Sequence, residues 1–448
     1  MSSKTVDFTQ GKILSPLLKF ALPILGALLL QATYGAVDVI VVGQFCSPAD
    51  VSAVAIGSNL MHTVQVFIIA LAMGTTVLLG QRLGEGRADT AGSVIGNSIW
   101  LFAAVGLLLT ALLLTFSDGI LKLMQTPAEA LVPAKEYFTI CAVGAVFIVA
   151  YNVLGSVFRG IGDSKTPLIA VCIACVCNIA GDLYFVTRLK MGAAGAALAT
   201  VISQGISVVL CLLMIRKKGL PFYFGRSSMT VDSDILKKVL KFGFPLALQE
   251  LLVSGSFLVL AAIVNSLGVI ASAGLGVAQK LIAYIMLVAS SFSQALAAFV
   301  AQNVGAGKEQ RGSRAMLYGM LTSFAISIFI AWGTFFHGDV LCRLFASDSE
   351  VIAAGYDYMR AYSIDVLQTS FLFCFIGYFN GCGRTRFTMI QGLFGAFVIR
   401  IPVAFFMSTL EPVSLFNIAL ATPTSTFFQI AVCVIYFIII HKKKPAEV

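Results

Sequence analysis

The chain has 448 residues, of which 58% are hydrophobic and only 11% are charged, and its formal net charge is +9. Soluble globular domains carry about 25% charged residues, so this composition excludes a water-soluble domain. Most of the chain must face lipid or other helices, and its length leaves room for about a dozen spans of ~20–30 residues.

Apolar segments separated by glycine, proline and charged residues predict twelve membrane-spanning helices. Several are longer than the ~20 residues that cross a bilayer, so we expect them to tilt or to project beyond it. The polar first residues are not followed by a short apolar stretch with a cleavage site, so we expect no signal peptide. The predicted helices cover residues 15–43, 51–82, 91–116, 130–159, 166–187, 194–216, 237–264, 271–303, 312–336, 350–381, 386–408 and 413–440.

The chain contains an internal sequence repeat, whose two copies are about 221 residues apart. The seven residues that begin at Gln81 return in similar form at Gln302, and Gly160-Ile161-Gly162 returns as Gly381-Cys382-Gly383. In a hydrophobic chain, internal duplication is typical of two lobes with a substrate site between them that opens alternately to the two sides. The duplication therefore favours transport.

Basic residues fall on alternate connections between the predicted helices. By the positive-inside rule the side rich in lysine and arginine is cytoplasmic, which places both termini inside and fits an even number of spans. This placement near anionic lipid headgroups explains the net charge, so we expect membrane lipids and no nucleic acid as partners. The opposite side holds only Lys122, Lys135, Arg188, Lys190 and Arg343.

The longest interior connection is polar and basic, and it joins the two copies. It predicts an N-lobe over 1–216 with helices one to six, a cytoplasmic linker over 217–236, and a C-lobe over 237–448 with helices seven to twelve. An even number of helices per copy gives both copies the same orientation, so a pseudo-two-fold axis should run along the membrane normal. The predicted fold class is an all-α polytopic membrane protein, with twelve transmembrane helices in two pseudo-symmetric six-helix bundles.

Few acidic residues lie well inside the predicted spans, and Asp38 and Asp182 are two of them. An ionised carboxylate at mid-bilayer costs ~2.5–3.5 kcal/mol, which makes each a functional candidate. Asn178 lies four residues before Asp182, on the same helix face. Two facing carboxylates can share a proton, or can bind Na⁺ together with amide and hydroxyl oxygens. The alternative is that each aspartate reaches water at a helix end.

Glu250 in the seventh span and Asp365 in the tenth are acidic residues of the second copy. A buried ion pair of Glu250 with Lys280 or Arg400 would compensate charges that lipid cannot solvate. The alternatives are a role of Glu250 in ion coupling, or a side chain that reaches the lipid headgroups.

The Gly160-x-Gly162 and Gly381-x-Gly383 segments follow helices rather than strands, so we expect tight cytoplasmic turns and not nucleotide loops. No ATP-binding motif occurs in the sequence, which favours transport driven by an ion gradient. The ten cysteines are interpreted as packing residues, and three scattered histidines do not predict a metal site. We therefore expect no cofactor, with H⁺ or Na⁺ as the coupling ion.

The double six-helix layout, Pro23, the Gly-x-Gly-Arg/Lys ends of helices two and eight, and Asn178-x-x-x-Asp182 resemble the multidrug and toxic compound extrusion (MATE) family over essentially the whole chain. The second copy has Ile399 and Val403 at the positions of the polar pair, which resembles the DinF-like branch. The resemblance implies a cation site in the N-lobe, with Tyr137 in its hydrogen-bond network, and a substrate cavity. The implied cation-site residues are Asp38, Asn178, Asp182, Thr200 and Tyr137, and the predicted cavity residues are Gln31, Tyr34, Asn152 and Gln204.

The sequence thus predicts a monomeric bacterial antiporter of the plasma membrane, which exports hydrophobic or cationic small molecules in exchange for H⁺ or Na⁺. One alternative is a lipid-linked oligosaccharide flippase of the wider superfamily, whose cavity should be lined by basic residues. Apart from Lys280, Arg360 and Arg400, basic residues lie outside the spans or near their ends. The other alternative is an intramembrane enzyme, for which Gly160-Ile161-Gly162-Asp163 resembles a protease motif by its letters only.

Overall fold

A computed structural model describes residues 7–442. Every secondary-structure element in this range is helical, which confirms the predicted fold class. Helices suit such an apolar chain because a backbone in lipid must satisfy its polar groups internally. The α-helices are α1 (Leu14–Phe45), α2 (Pro48–Gly84), α3 (Ala88–Thr115), α4 (Ser117–Leu123), α5 (Leu131–Val143), α6 (Ala145–Gly160), α7 (Lys165–Asp182), α8 (Gly192–Lys218), α9 (Ser233–Asn265), α10 (Val269–Gly305), α11 (Glu309–Cys342), α12 (Ser349–Gly381), α13 (Thr385–Leu393), α14 (Ile401–Ser408), α15 (Leu415–Ala419) and α16 (Ala421–Lys442).

Eleven helical segments of the described range are long and apolar enough to cross a membrane, and a bent pair of helices brings the number to twelve. The bent pair is α5 and α6, which meet at 47°. The sequence predicted one continuous helix over 130–159, which is wrong at Gly144. A side chain at Gly144 would collide with Val201 of α8, so the break lies where two helices come into close contact.

Two other spans contain π-helical turns that the sequence did not predict. The fifth span continues from α7 through a π-helical segment, Leu183–Arg188, and the eleventh contains another, Phe394–Arg400, between α13 and α14. π-Helical turns insert an extra residue into a helix and are frequent at functional sites. In this chain they adjoin the buried charged residues Asp182 and Arg400.

The turns predicted at the repeated glycines are present in both copies. Gly86 and Gly307 follow α2 and α10 with φ of 73° and 71°, and Gly162 and Gly383 follow α6 and α12 with φ of 83° and 72°. Glycine tolerates this left-handed conformation because it has no Cβ. The duplication in the sequence is therefore also a duplication of backbone conformation.

The chain divides into two compact units. The first comprises Leu18–Ala247 and Ala301–Gly307 with the described residues before Lys12, and the second comprises Lys12–Leu17, Leu248–Val300 and the described residues from Lys308 onward. The first unit thus includes the segment predicted as a linker and the beginning of α9.

The linker backbone is hydrogen-bonded to α3. The Trp100 indole N–H donates to the carbonyl oxygen of Met229 at 2.9 Å, and Asn97 donates to that of Thr230 at 3.1 Å. The amide oxygen of Asn97 also accepts from the backbone N–H of Asp232 at 2.7 Å. The connection between the two copies is therefore fixed to the first unit along this stretch.

The end of α2 crosses the last residues of α10 within the first unit. A Cβ at Gly84 would collide with the carbonyl oxygen of Gln302, and a Cβ at Gly305 would collide with that of Gln81. These four residues are equivalent positions of the two sequence copies. The side chain of Gln302 also donates to the carbonyl oxygen of Gly160 at 2.9 Å. The crossing is reciprocal, and it requires glycine on both sides.

Candidate cation and substrate sites

Four of the predicted cation-site residues meet inside the first unit. Asp38 comes from α1, Asn178 and Asp182 come from one face of α7, and Thr200 comes from α8. The Thr200 hydroxyl donates to Oδ2 of Asp38 at 2.9 Å, and the Asn178 amide donates to the Thr200 hydroxyl at 3.4 Å. The spacing of four residues in the sequence thus places amide and carboxylate on the same side of one helix, as predicted.

The two carboxyl groups of this site face each other. Asp38 and Asp182 are 2% and 0% exposed, and their side chains are within hydrogen-bonding reach of each other. The alternative that each aspartate reaches water at a helix end is therefore wrong for this structure. Two such carboxyl groups can form a hydrogen bond only if they hold a proton, since two carboxylates have no donor.

The site is rich in acceptor oxygens without a donor. The side-chain oxygens Oδ1 of Asp38, Oδ1 of Asn178 and both Oδ1 and Oδ2 of Asp182 are buried and accept no hydrogen bond from the described residues. A buried polar atom without a partner costs ~1–3 kcal/mol, and more when it is charged. Because all four are acceptors, a proton or a cation that binds oxygen ligands can satisfy them, whereas an anion cannot.

Tyr137 lies beside this network rather than within its chain of hydrogen bonds. It is 2% exposed, and its hydroxyl interacts with the side chain of Cys141, one turn along α5. A Cβ at Gly57 would collide with the Tyr137 ring, so the ring packs directly against α2. Its role in the cation site stays a prediction.

The predicted cavity residues have different surroundings. Gln31 is half-buried, and Asn152 and Gln204 are buried. The Asn152 amide donates to the carbonyl oxygen of Ile148, one turn earlier in α6, at 2.8 Å. The side chain of Tyr34 lies outside the described part of the structure. The assignment of these residues to a substrate cavity stays a prediction.

The ion pair predicted for Glu250 is not formed. Within residues 7–442, the ion pairs closer than 4.0 Å join other residues. Lys280 is exposed, and its ammonium lies 5.7 Å from the centroid of the Phe345 ring. Arg400 instead donates to the Ser256 hydroxyl at 2.9 Å. Ser256 lies six residues after Glu250 on α9, or about 9 Å at a rise of ~1.5 Å per residue, which is why the charges do not meet.

A second buried polar cluster, which sequence reasoning missed, lies in the second unit around Asp365 and Arg400. These residues are 2% and 6% exposed. The signal was present in the sequence: two tyrosines lie seven and three residues before Asp365 on α12, and two threonines lie four apart on α16. The apolar pattern that locates the spans does not distinguish these residues, because their side chains face other helices rather than lipid. We define the C-unit cluster as Ser256, Tyr358, Tyr362, Asp365, Arg400, Thr422 and Thr426.

Secondary transporters are a class of protein with duplicated membrane-spanning helices and with carboxyl groups buried inside the membrane-spanning bundle. The described structure has both features. A family model described as MatE matches the chain twice, over residues 23–183 and 245–406. The chain belongs to this family, the MATE multidrug transporters, and it is a transporter rather than an enzyme.

Named relatives cover most of the chain. It is 30% identical over 407 residues to the probable multidrug resistance protein YpnP of Bacillus subtilis, and the match covers 89% of each protein. It is 26% identical over 401 residues to the probable multidrug resistance protein NorM of Thermotoga maritima, covering 88% of this chain and 86% of that one. A solved outward-facing MATE family transporter of the MOP superfamily matches with a TM-score of 0.92 at 21% identity, covering 99% of this chain and 100% of the other.

Proposed function

We propose that this protein is an antiporter that exports hydrophobic or cationic compounds from the cytoplasm, in exchange for H⁺ or Na⁺ bound at Asp38, Asn178, Asp182 and Thr200. The observation that carries the proposal is the set of buried acceptor oxygens at this site, which accept no hydrogen bond from the residues that the structure describes. The relatives are named as probable multidrug resistance proteins, which supports this class of substrate.

The chemistry of the site links ion binding to substrate release. Without a bound cation, the two carboxylates give this part of the first unit an uncompensated negative charge. Each bound proton or Na⁺ reduces this charge by one, and a cationic substrate competes for the same electrostatic field. Each net charge that moves through 100 mV supplies about 2.3 kcal/mol, enough for a roughly forty-fold substrate gradient at ~1.4 kcal/mol per factor of ten.

Counterflow in sealed vesicles tests the proposal and separates the two ions. Purified protein is reconstituted, and ethidium transport is measured while the Na⁺ and pH gradients are set independently. We expect transport to follow one of the two gradients and to stop when that gradient is collapsed. Transport that is unchanged when both gradients are absent would reject the antiporter.

We further propose that both termini and the linker are cytoplasmic, in a monomer of the bacterial plasma membrane. Ser227 of the linker is exposed, whereas the adjacent Ser228 is 5% exposed. In a chain without other reactive cysteines, Ser227→Cys should react with an impermeant maleimide only after the cells are permeabilised. Ser228→Cys should react slowly in both conditions. Labelling of Ser227→Cys in intact cells contradicts this topology.

A further inference from the structure

Asp50 connects the first turns of two helices in the first unit. It is the third residue of α2 and forms a capping box with Ser47. The Ser47 hydroxyl accepts from the backbone N–H of Asp50 at 3.2 Å, and Oδ2 of Asp50 accepts from the backbone N–H of Ser47 at 3.3 Å. The other oxygen, Oδ1, accepts from the backbone N–H of Ala193 at 3.1 Å. One carboxylate therefore holds two helix ends that lie 143 residues apart in the sequence.

The start of α8 depends on this side chain from another helix. In the described structure, the N-cap residue of α8, Met191, makes no side-chain capping hydrogen bond. An N-cap side chain usually accepts from the backbone N–H of the second or third helical residue, and Ala193 is the second residue of α8. A carboxylate is also favoured beside the positive end of a helix dipole. Asp50 thus supplies to α8 what an N-cap side chain supplies in other helices.

The connection before α8 has a backbone conformation that leaves room for the carboxylate. Gly192 has a φ of 56°, and a Cβ there would lie 2.5 Å from Oδ1 of Asp50. Lys190, two residues earlier, has a φ of 53°, which is uncommon for a residue other than glycine. Two left-handed residues in this short segment bring the first turn of α8 against Asp50.

The helix that Asp50 caps also carries Thr200. Thr200 lies seven residues after Ala193, which is two turns along the same face and about 10 Å at a rise of ~1.5 Å per residue. Its hydroxyl donates to Oδ2 of Asp38 at 2.9 Å, and such a bond weakens steeply beyond about 3.0 Å. A displacement of α8 by about 1 Å is therefore enough to lengthen or misalign it.

Packing alone fixes α8 less completely than this hydrogen bond does. Next to Thr200, a Cβ at Gly181 of α7 would lie 3.0 Å from the Cβ of Ala199, so the two helices are in close contact there. Contacts between small apolar groups set the distance between two helices but are not directional. The hydrogen bond from Ala193 to Asp50 is directional, so it fixes the position of α8 along its axis.

We propose that Asp50 is a positioning residue of the cation site, which holds the Thr200 hydroxyl against Asp38 by capping α8. The inference rests on the proposed antiport function. At the offset of 221 residues, the second copy has Ala271 in place of Asp50 and Val413 in place of Gly192. That copy also has Ile399 and Val403 in place of the polar pair. The capping carboxylate and the polar pair therefore occur in the same copy.

Removal of the carboxylate tests the inference. In proteoliposomes, Asp50→Ala should raise the concentration of coupling ion that gives half-maximal ethidium efflux by roughly two- to ten-fold, with the maximal rate preserved. The factor should not exceed that of Thr200→Ala, because Asp50 acts through one hydrogen bond of Thr200. In the double variant Asp50→Ala/Thr200→Ala, the loss of Asp50 should add less than about two-fold, since the two residues form one chain of contacts. An unchanged half-maximal concentration in folded Asp50→Ala, or two factors that multiply in the double variant, would overturn the inference.

Ser47→Ala is the matched control for stability. It removes the capping box of α2 and leaves the hydrogen bond from Ala193 to Asp50 in place. The melting temperature should fall, as for other N-cap losses, while the half-maximal ion concentration stays at the wild-type value. A shift of that concentration equal to the shift in Asp50→Ala would overturn the inference, because loss of stability alone would then explain both.

A second variant covers the case in which Asp50→Ala does not fold. Gly192→Ala keeps both residues of the α2 capping box, but its Cβ displaces the Asp50 carboxylate from the start of α8. It should also raise the half-maximal ion concentration, and an unchanged value would overturn the inference. Failure of the antiport proposal gives a different result: wild-type ethidium efflux would follow neither the Na⁺ nor the pH gradient, and both proposals would be overturned together.

Discussion

The two sequence copies bury carboxylates in different electrostatic surroundings. In the first unit, Asp38 and Asp182 face each other with hydroxyl and amide neighbours and no basic residue. In the second unit, Asp365 shares its cluster with Arg400, and Ile399 and Val403 stand where the first copy has its polar pair. A duplicated scaffold can therefore keep its helices and its turns while the buried carboxyl groups of its two halves acquire different neighbours.

The largest effect is expected at the carboxylate pair. Asp38→Asn or Asp182→Asn removes a negative charge while it keeps the size of the side chain, so ethidium efflux should fall to the level of vesicles without protein. The equivalent position of the second copy supplies the control. Val403 is partly buried, so Val403→Ala should reduce stability by about 0.5–1.5 kcal/mol, without a change in the Na⁺ or pH dependence. Full efflux by either aspartate variant would contradict the site.

A large effect on stability is expected in the C-unit cluster. Arg400→Gln removes the charged hydrogen bond to the Ser256 hydroxyl and the cation–π contact with the Phe257 ring. Together these contribute about 3–5 kcal/mol, so the melting temperature in detergent should fall. Glu250→Gln is the matched control, and it should change stability by about 1 kcal/mol or less because Glu250 has no ionic partner among residues 7–442. Equal decreases in melting temperature for Arg400→Gln and Glu250→Gln would contradict the expected difference between these two residues.

An intermediate effect is expected at the reciprocal crossing. Gly84→Ala and Gly305→Ala each place a Cβ against a carbonyl oxygen, and overpacking of this kind costs about 1–3 kcal/mol. The two losses should be similar, since the contact is the same in both directions. Gly276→Ala on α10 has open space and should be neutral or slightly stabilising in the same melting assay. A loss of stability for only one of these two variants would show that the two glycines do not contribute equally to the free energy of unfolding.

The smallest effect is expected at Thr200. Thr200→Ala removes one hydroxyl that donates to Asp38, and a hydrogen bond of this kind contributes about 0.5–1.5 kcal/mol. The apparent affinity for the coupling ion should therefore fall by no more than about ten-fold, with the maximal efflux rate preserved. Titration of efflux with Na⁺ or with pH measures this. A complete loss of transport would mean that Thr200 is indispensable to ion binding rather than supporting.

Most of the fold was predictable because span length, turn glycines and helix-face spacing are local properties. The apolar runs located the spans to within a few residues, and the spacing of Asn178 and Asp182 placed both at one site. The choice of partner for a buried charge was not predictable, since it depends on helix rotation and crossing. Glu250 and Arg400 are both in membrane-spanning helices, yet Arg400 meets Ser256. The break at Gly144 depends on contact with Val201, which no local pattern records.

The reciprocal contact of Gln81 and Gly84 with Gln302 and Gly305 has a consequence for how mutations act on the chain. Where residue i meets residue j and j meets i, the contact has the form made by a symmetric dimer of identical chains. In such a dimer, one mutation changes both sides of the contact at once. In this chain the two halves can change separately, as Asp182 and Val403 show. Each glycine of the crossing must therefore be kept by its own codon, because a Cβ on either side collides with a carbonyl oxygen.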